Sequence, residues 1–312
     1  MVNLKPNAMN FMDTKMKLVR LILFGLLLLI PMSAYAQRDP PTSEIELQSA
    51  LLGKTISYRI LYPIRYYSDG KRDTRFPVLY LLHGLTGHNN DWLEKTRVAL
   101  YATHYDLFIV MVEGNNGWYT DSATVPADKY ESYILSELIP DVEKRFRVST
   151  LREGRAIAGL SMGGYGAIKF GLKHPEMFAL TASMSSAFGA ASWTEKELKD
   201  PGVIRDSLLQ TFGPAGSATR ATNDVFKLAR EVSAKKIAPL PYFYFDCGTE
   251  DFLFNNNREF ANLFVELKIP HEYRQLPGNH SWPYWDAQVE EILRLAAARL
   301  RSQEPSLKNA AQ

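Results

Sequence analysis

The sequence predicts an α/β fold, a mostly parallel sheet with helices on both faces and a helical insertion, on three observations. Apolar runs such as Phe76-Pro77-Val78-Leu79-Tyr80-Leu81-Leu82 and Leu107-Phe108-Ile109-Val110-Met111-Val112 are continuous rather than alternating, as in strands buried on both faces. Segments of helical period separate these runs, which implies parallel strands joined by crossover helices. Ala156-Ile157-Ala158-Gly159-Leu160-Ser161-Met162-Gly163-Gly164-Tyr165-Gly166 sets Gly-x-Ser-x-Gly between a strand run and a helical one. Such a turn holds one serine at a sharp strand-to-helix bend, where its neighbours must be small. At 312 residues, with 46% apolar and 22% charged, the chain is an ordinary globular composition with room for a sizeable core.

Taken in order, the chain begins with a basic stretch, Met16-Lys17-Leu18-Val19-Arg20, and ten apolar residues from Leu21 to Ile30. Ala34-Tyr35-Ala36 then forms an A-x-A site. Residues 1–36 read as an N-terminal extension and secretory signal peptide, cleaved after Ala36, with an apolar run too short to span a bilayer comfortably. The expectation is a secreted or periplasmic protein with no stable membrane anchor after cleavage. Losing residues 1–36 leaves 32 basic and 33 acidic residues, a net charge of −1, which argues against nucleic acid as a partner. Cys247 is the one cysteine, so neither an internal disulfide nor a Cys-rich metal site is available.

Residues 37–312 read as one domain. Arg38 to Ser43 is a polar lead-in, and Lys54 to Tyr62 alternates as a half-exposed strand does. Strands follow at 76–82 and 107–112, then a helix from Tyr130 to Arg145 marked by Ile134, Leu138, Val142 and Phe146. The strand at 155–158 leads into the serine turn and a helix from Gly163 to His174, which ends before Pro175. Phe178 to Met184 is the next strand. Residues 185–238 read as a helical insertion over the sheet. Pro241 to Phe245 and His271 to Leu276 are strands, and Asn256–Lys268 and Tyr284–Arg301 are helices. The last helix carries an apolar stripe of Val289, Ile292, Leu293, Ala296 and Leu300.

Parallel sheets of this kind hold ligands at the carboxyl ends of their strands. Ser161 stands at one such end, beside a helix N-terminus that favours the negative charge of an acyl-transfer transition state. Three loops converge on it. His83-Gly84-Leu85-Thr86-Gly87 offers the Leu85 N–H as an oxyanion donor, paired with the N–H of Met162. Gly248-Thr249-Glu250-Asp251 offers a carboxylate to orient a histidine; Asp246, Glu250 and Asp251 compete for that role, and Asp251 is favoured. Pro277-Gly278-Asn279-His280-Ser281-Trp282 offers His280 as the base, while His83 supports its own turn. Trp118, Tyr119 and Trp282 are expected to wall a substrate pocket. No H-E-x-x-H zinc signature or phosphate-binding G-x-x-x-x-G-K-[ST] occurs, and the chemistry requires no cofactor and no metal.

Phe76 to Gly87, Trp118-Tyr119-Thr120-Asp121-Ser122, Gly159 to Gly164, Cys247 to Leu253 and Gly278 to Trp282 together resemble the esterase D-type putative esterases of the α/β-hydrolase superfamily. That group includes feruloyl esterases, acetyl esterases, S-formylglutathione hydrolases and mycolyltransferases. The resemblance covers about residues 44–300 and implies Ser161 as nucleophile, Asp251 as acid, His280 as base, and Leu85 and Met162 as oxyanion donors. One departure is Glu113-Gly114-Asn115-Asn116, where the family often carries Pro-Asp-Gly. The expected function is a secreted serine carboxylesterase cleaving short acyl or hydroxycinnamoyl esters through an acyl-enzyme. Its expected substrate is a small-molecule or carbohydrate ester. The rivals are an acyltransferase with the same residues and an inactive hydrolase fold that only binds. Oligomeric state is not legible in the sequence.

Overall fold

The computed structural model describes residues 41–68, 73–194, 198 and 201–303. The expected export signal, residues 1–36, lies outside them. The chain enters with β1 (Thr42–Ser49) and β2 (Lys54–Leu61), an antiparallel pair at one edge of the sheet. β1 occupies part of the stretch expected to be a polar lead-in. Ser43, Ile45, Leu47 and Ser49 share its inward face and only two of them are apolar, so its apolar signal is thin, as befits an edge strand with one solvated face. Four strands without an exposed residue follow: β3 (Val78–Leu82), β4 (Phe108–Val112), β5 (Arg155–Leu160) and β6 (Leu180–Met184). β7 (Tyr242–Gly248) and β8 (His271–Leu276) complete eight strands in the order β1-β2-β4-β3-β5-β6-β7-β8. Every pair from β4 to β8 is parallel, and β2 joins β4 antiparallel.

Successive side chains in these strands feed two cores. Val78, Tyr80, Val110 and Ile157 face one layer; Leu79, Leu81, Ile109 and Ala158 face the other. Each such fully buried aliphatic side chain contributes about 1.5–3 kcal/mol. The helices are α1 (Asp91–Lys95), α2 (Val98–Ala102), α3 (Tyr130–Tyr133), α4 (Ile139–Arg145), α5 (Met162–Lys173), α6 (Val203–Phe212), α7 (Ala218–Asn223), α8 (Val225–Ala234), α9 (Phe254–Glu266) and α10 (Trp282–Arg299). The single helix expected over 130–145 is broken between α3 and α4 by a π turn, Ile134–Leu138. Pro140 explains it: a proline has no N–H to donate, and its ring crowds the carbonyl four residues back, which a wider turn relieves. The stripe expected on α10 is buried throughout, including Val289, Ile292 and Leu293 at 0% exposure. Among the described residues no helix is long and apolar enough to cross a membrane.

The register sets the site. Leu82 pairs with Gly159, Leu160 with Met184, and Gly248 with Leu276. The strand ends therefore lie level, and the loops after β3, β5, β6, β7 and β8 meet along one edge of the sheet.

Candidate active site

Ser161 links β5 to α5 with φ 52° and ψ −114°, a region that side chains other than glycine rarely occupy. The surrounding contacts fix it there. Its N–H donates to Met184 O at 2.9 Å, and its carbonyl accepts from Tyr165 N at 3.0 Å. The two glycines of the motif are required by close backbone approach. A Cβ on Gly163 would lie 2.6 Å from the carbonyl oxygens of both Leu82 and His83, and one on Gly159 would lie 2.5 Å from Gly163 C. The strain at Ser161 thus lifts its hydroxyl off the sheet edge, where helix and strands could not otherwise pack so tightly.

His280 Nε2 lies 3.0 Å from Ser161 Oγ, and its Nδ1 lies 2.9 Å from Asp251 Oδ2. Burial would raise the Asp251 carboxyl, but hydrogen bonds from His280 and from Leu253 N–H outweigh it and hold the group below the usual carboxylate range. An ionised carboxylate only accepts, so Nδ1–H donates to Asp251. In the neutral imidazole Nε2 then has a lone pair that can accept a proton from the serine hydroxyl. Phe252 lies against one side of the ring, at 4.6 Å between centroids, and Trp285 meets it edge-on at 4.9 Å.

The other two candidate acids are engaged elsewhere. Asp246 is 0% exposed and accepts from Tyr284 OH at 2.7 Å. Glu250 Oε2 accepts from Gly278 N at 2.7 Å, and its own N–H donates to Gly278 O at 2.9 Å, so it clasps the loop that carries His280. Cys247 is buried, and burial pushes its thiol up, away from nucleophilic use.

Met162 is the first residue of α5, so its N–H has no acceptor within the helix. The Gly84–Leu85 turn lies over Ser161: a Cβ on Gly84 would sit 3.5 Å from Ser161 Cβ. His83 braces this turn, with Nδ1 2.7 Å from Gly84 O and Nε2 accepting from Gly114 N at 3.0 Å. Leu85 and Ser161 both line a cavity of about 680 Å³, as do Trp118 and Trp282. Trp118 belongs to the α5–α6 side of the sheet, edge-on to Tyr165, with its Nε1 donating to Ser207 Oγ at 3.0 Å. Trp282 belongs to the opposite side, edge-on to Trp92, with Lys95 Nζ 5.0 Å from its ring. Ser161 stands between them.

Tyr119 corrects the expectation. It is 0% exposed and does not line the cavity; its hydroxyl donates to His83 O at 2.9 Å. Trp118 and Tyr119 both have φ 51°, and consecutive side chains in such a turn diverge, one into the pocket wall and the other into the core.

Several supporting residues left no local sequence pattern. Asn257, 0% exposed on α9, binds Ser186 N and O at 3.1 and 2.8 Å and Leu253 O at 2.9 Å, tying the loop after β6 to the Asp251 loop. Lys169, 0% exposed on α5, donates to Tyr119 O at 2.6 Å, Thr120 Oγ1 at 2.7 Å and Glu131 Oε2 at 2.7 Å. It anchors the strained 118–119 turn to the helix that begins at the serine. The buried Ser185, also at positive φ, faces Asp251 and Cys247.

Residues 49–296 match the family model described as putative esterase. An acetyl esterase of Caldicellulosiruptor saccharolyticus is 26% identical over 252 residues, spanning 79% of this chain and 94% of that protein. Among solved structures, the substrate-bound fluorophosphonate-binding serine hydrolase F of Staphylococcus aureus superposes with a TM-score of 0.74 at 25% identity. That match covers 83% of this chain and 99% of the other. A ferulic acid esterase gives 0.70 at 25% identity, over 84% and 100%.

Proposed function

This chain belongs to the putative esterase family and is a carboxylic ester hydrolase, and we propose that Ser161, His280 and Asp251 carry its reaction. The observation that supports this most directly is the unbroken relay from Ser161 Oγ to His280 Nε2 at 3.0 Å and from Nδ1 to Asp251 at 2.9 Å. Ser161 Oγ attacks the ester carbonyl as its proton passes to His280. The N–H groups of Leu85 and Met162 hold the oxyanion, and Asp251 stabilises the imidazolium. His280 returns the proton to the leaving alcohol. Water then repeats the sequence against the acyl-enzyme.

The cavity supports a substrate with one apolar and one polar part. Trp118, Trp193, Val203, Ile204 and Phe252 line it with a surface suited to a short aliphatic or an aromatic acyl group. Trp282, Asp91, Lys95 and Thr86 offer an aromatic face with polar neighbours, suited to a sugar alcohol. The names of the acetyl esterase and ferulic acid esterase relatives support the same acyl range. We therefore assign short acyl or hydroxycinnamoyl esters of carbohydrate as substrates. The signal-like residues 1–36 support an exported enzyme whose mature chain starts at Gln37.

The test is kcat/KM for acetyl, butyryl, palmitoyl and feruloyl esters and for S-formylglutathione, beside Ser161→Ala. The variant should lose on the order of 10⁴-fold or more in kcat and all fluorophosphonate labelling. More than a few per cent residual activity would remove Ser161 from the role. A preference for palmitoyl esters or for the glutathione thioester would overturn the substrate class.

A further inference from the structure

A second cavity, of about 210 Å³, lies behind the loop where the sequence departs from its family. It is lined by Asn115, Asn116, Gly117, Asp128, Tyr130 and Gln210. Asn116 connects it to the active site, because its Oδ1 accepts from the N–H of Thr86 at 2.8 Å and Thr86 lines the main cavity. Gly117 lines the small cavity and the next residue, Trp118, lines the large one.

The walls are held in place. Ser122 Oγ and Thr124 Oγ1 each donate to Gln210 O at 2.7 Å, and Gln210 Nε2 donates to Asp128 Oδ2 at 3.0 Å. Tyr130 is 1% exposed and its hydroxyl accepts from Lys54 Nζ at 3.2 Å and from Asn115 Nδ2 at 3.0 Å. With both lone pairs taken, its own proton has no acceptor among the described residues. Asn116 Nδ2 is a second donor without a protein partner there; Asn115 Oδ1, Gln210 Oε1 and Asp128 Oδ1 are acceptors without one.

Resting on the reading of this protein as a carbohydrate esterase, we propose that the small cavity is a subsite for a neutral sugar unit next to the one that carries the ester. Three features select that ligand. Donors and acceptors are mixed, as hydroxyl groups that both donate and accept require. No Lys or Arg lines the cavity and Asp128 does, which disfavours an anion. No aliphatic side chain lines it, which disfavours an acyl chain. Its volume is below that of a typical drug-sized pocket and matches a single ring. The enzyme then favours an ester on an oligosaccharide over the same ester on a monosaccharide.

The experiment compares acetylated xylotriose, acetylated xylose and p-nitrophenyl acetate in the wild type and in Gln210→Ala and Asp128→Ala. Xylotriose binding to the Ser161→Ala protein, with and without each change, is measured by calorimetry. The wild type should prefer the trimer over the monomer by about tenfold, and each variant should lose about three- to tenfold of that preference, as expected for one or two hydrogen bonds. Activity on acetylated xylose and p-nitrophenyl acetate should stay within about twofold of wild type. Sugar esters cleaved without a chain-length preference, or with a preference that both variants keep, would overturn the subsite and leave the esterase reading standing. Equal loss on p-nitrophenyl acetate would also overturn it. If no sugar ester is cleaved, the carbohydrate reading fails. Xylotriose binding that Gln210→Ala abolishes then supports the cavity on its own, and no binding overturns it.

Discussion

Asp246, near the end of β7, is 0% exposed and accepts a hydrogen bond of 2.7 Å from Tyr284. Asp251, in the loop that follows, is 5% exposed and accepts from His280 Nδ1 at 2.9 Å. Burial raises the pKa of both. At Asp246 the neighbouring Tyr284 and Tyr244 hydroxyls and the Arg274 charge do not offset it, and the carboxyl is pushed up to about 7. At Asp251 an imidazole N–H and the Leu253 N–H more than offset it, and the carboxyl falls below the usual range. Position at a strand end supplies a candidate acid, but the partner decides whether that acid is ionised and therefore useful beside an imidazolium.

The largest effect should separate these two residues by rate. Asp251→Asn presents an amide to His280 and favours the wrong tautomer, so kcat should fall by roughly 10⁴-fold. Asp246→Asn and Glu250→Gln should each stay within about tenfold of wild type, because neither side chain touches His280 and both replacements keep an acceptor oxygen. Steady-state kinetics on p-nitrophenyl acetate gives the ranking directly. A larger loss at Asp246 or Glu250 than at Asp251 would reverse the comparison.

Glu131 extends it to a third buried carboxylate. Burial again pushes upward, but Lys169 Nζ at 2.7 Å and Lys173 Nζ at 2.5 Å hold it well below the usual range. Here two lysines, with His174 Nε2 at 3.5 Å beside them, hold the charge, and the result is structural. Lys169→Met removes the cation that is itself 0% exposed and leaves three acceptors short of a donor. Breaking such a pair should cost about 3 kcal/mol of unfolding free energy or more. Urea denaturation checks this, and a loss under about 0.5 kcal/mol would show that Lys173 alone suffices.

Much of this arrangement is legible in the sequence, for physical reasons that differ by region. β3 to β6 are readable because strands buried on both faces need unbroken apolar runs. The serine turn is readable because its close approaches admit only glycine at 159 and 163. β1 is missed because Ile45 and Leu47 are the only apolar residues on its inward face. Asn257 and Lys169, and the part Glu250 plays in holding the Gly278 loop, are missed because their partners lie far along the chain or bind through backbone atoms, which leave no composition or period to read. Trp118 and Tyr119 were separable only by the backbone, since two adjacent aromatics in a left-handed turn go to different places.

The smallest effect concerns pH, and it distinguishes the two aspartates by stability rather than by rate. Asp246, flanked by Tyr244, Tyr284, Arg274 and Glu291, has a native pKa of about 7, above its ordinary value. Between pH 4 and pH 7 the native state therefore holds more protons than the unfolded state, so the contribution of this group to stability falls as pH rises and levels off above about pH 7. Asp246→Asn cannot ionise and escapes that fall. Its melting temperature, relative to wild type, should climb from pH 4.5 to pH 8 by on the order of 5 °C. Asp251 has the opposite sign: its lowered pKa stabilises the native state at neutral pH, and the gain disappears only as pH falls below about 4. The Tm deficit of Asp251→Asn should thus be flat from pH 5 to pH 8 and shrink in acid. Calorimetric melts of the three proteins across that range test both signs at once. A flat Asp246→Asn difference would mean that Asp246 is already ionised at pH 4.5, and that burial does not separate it from its neighbour.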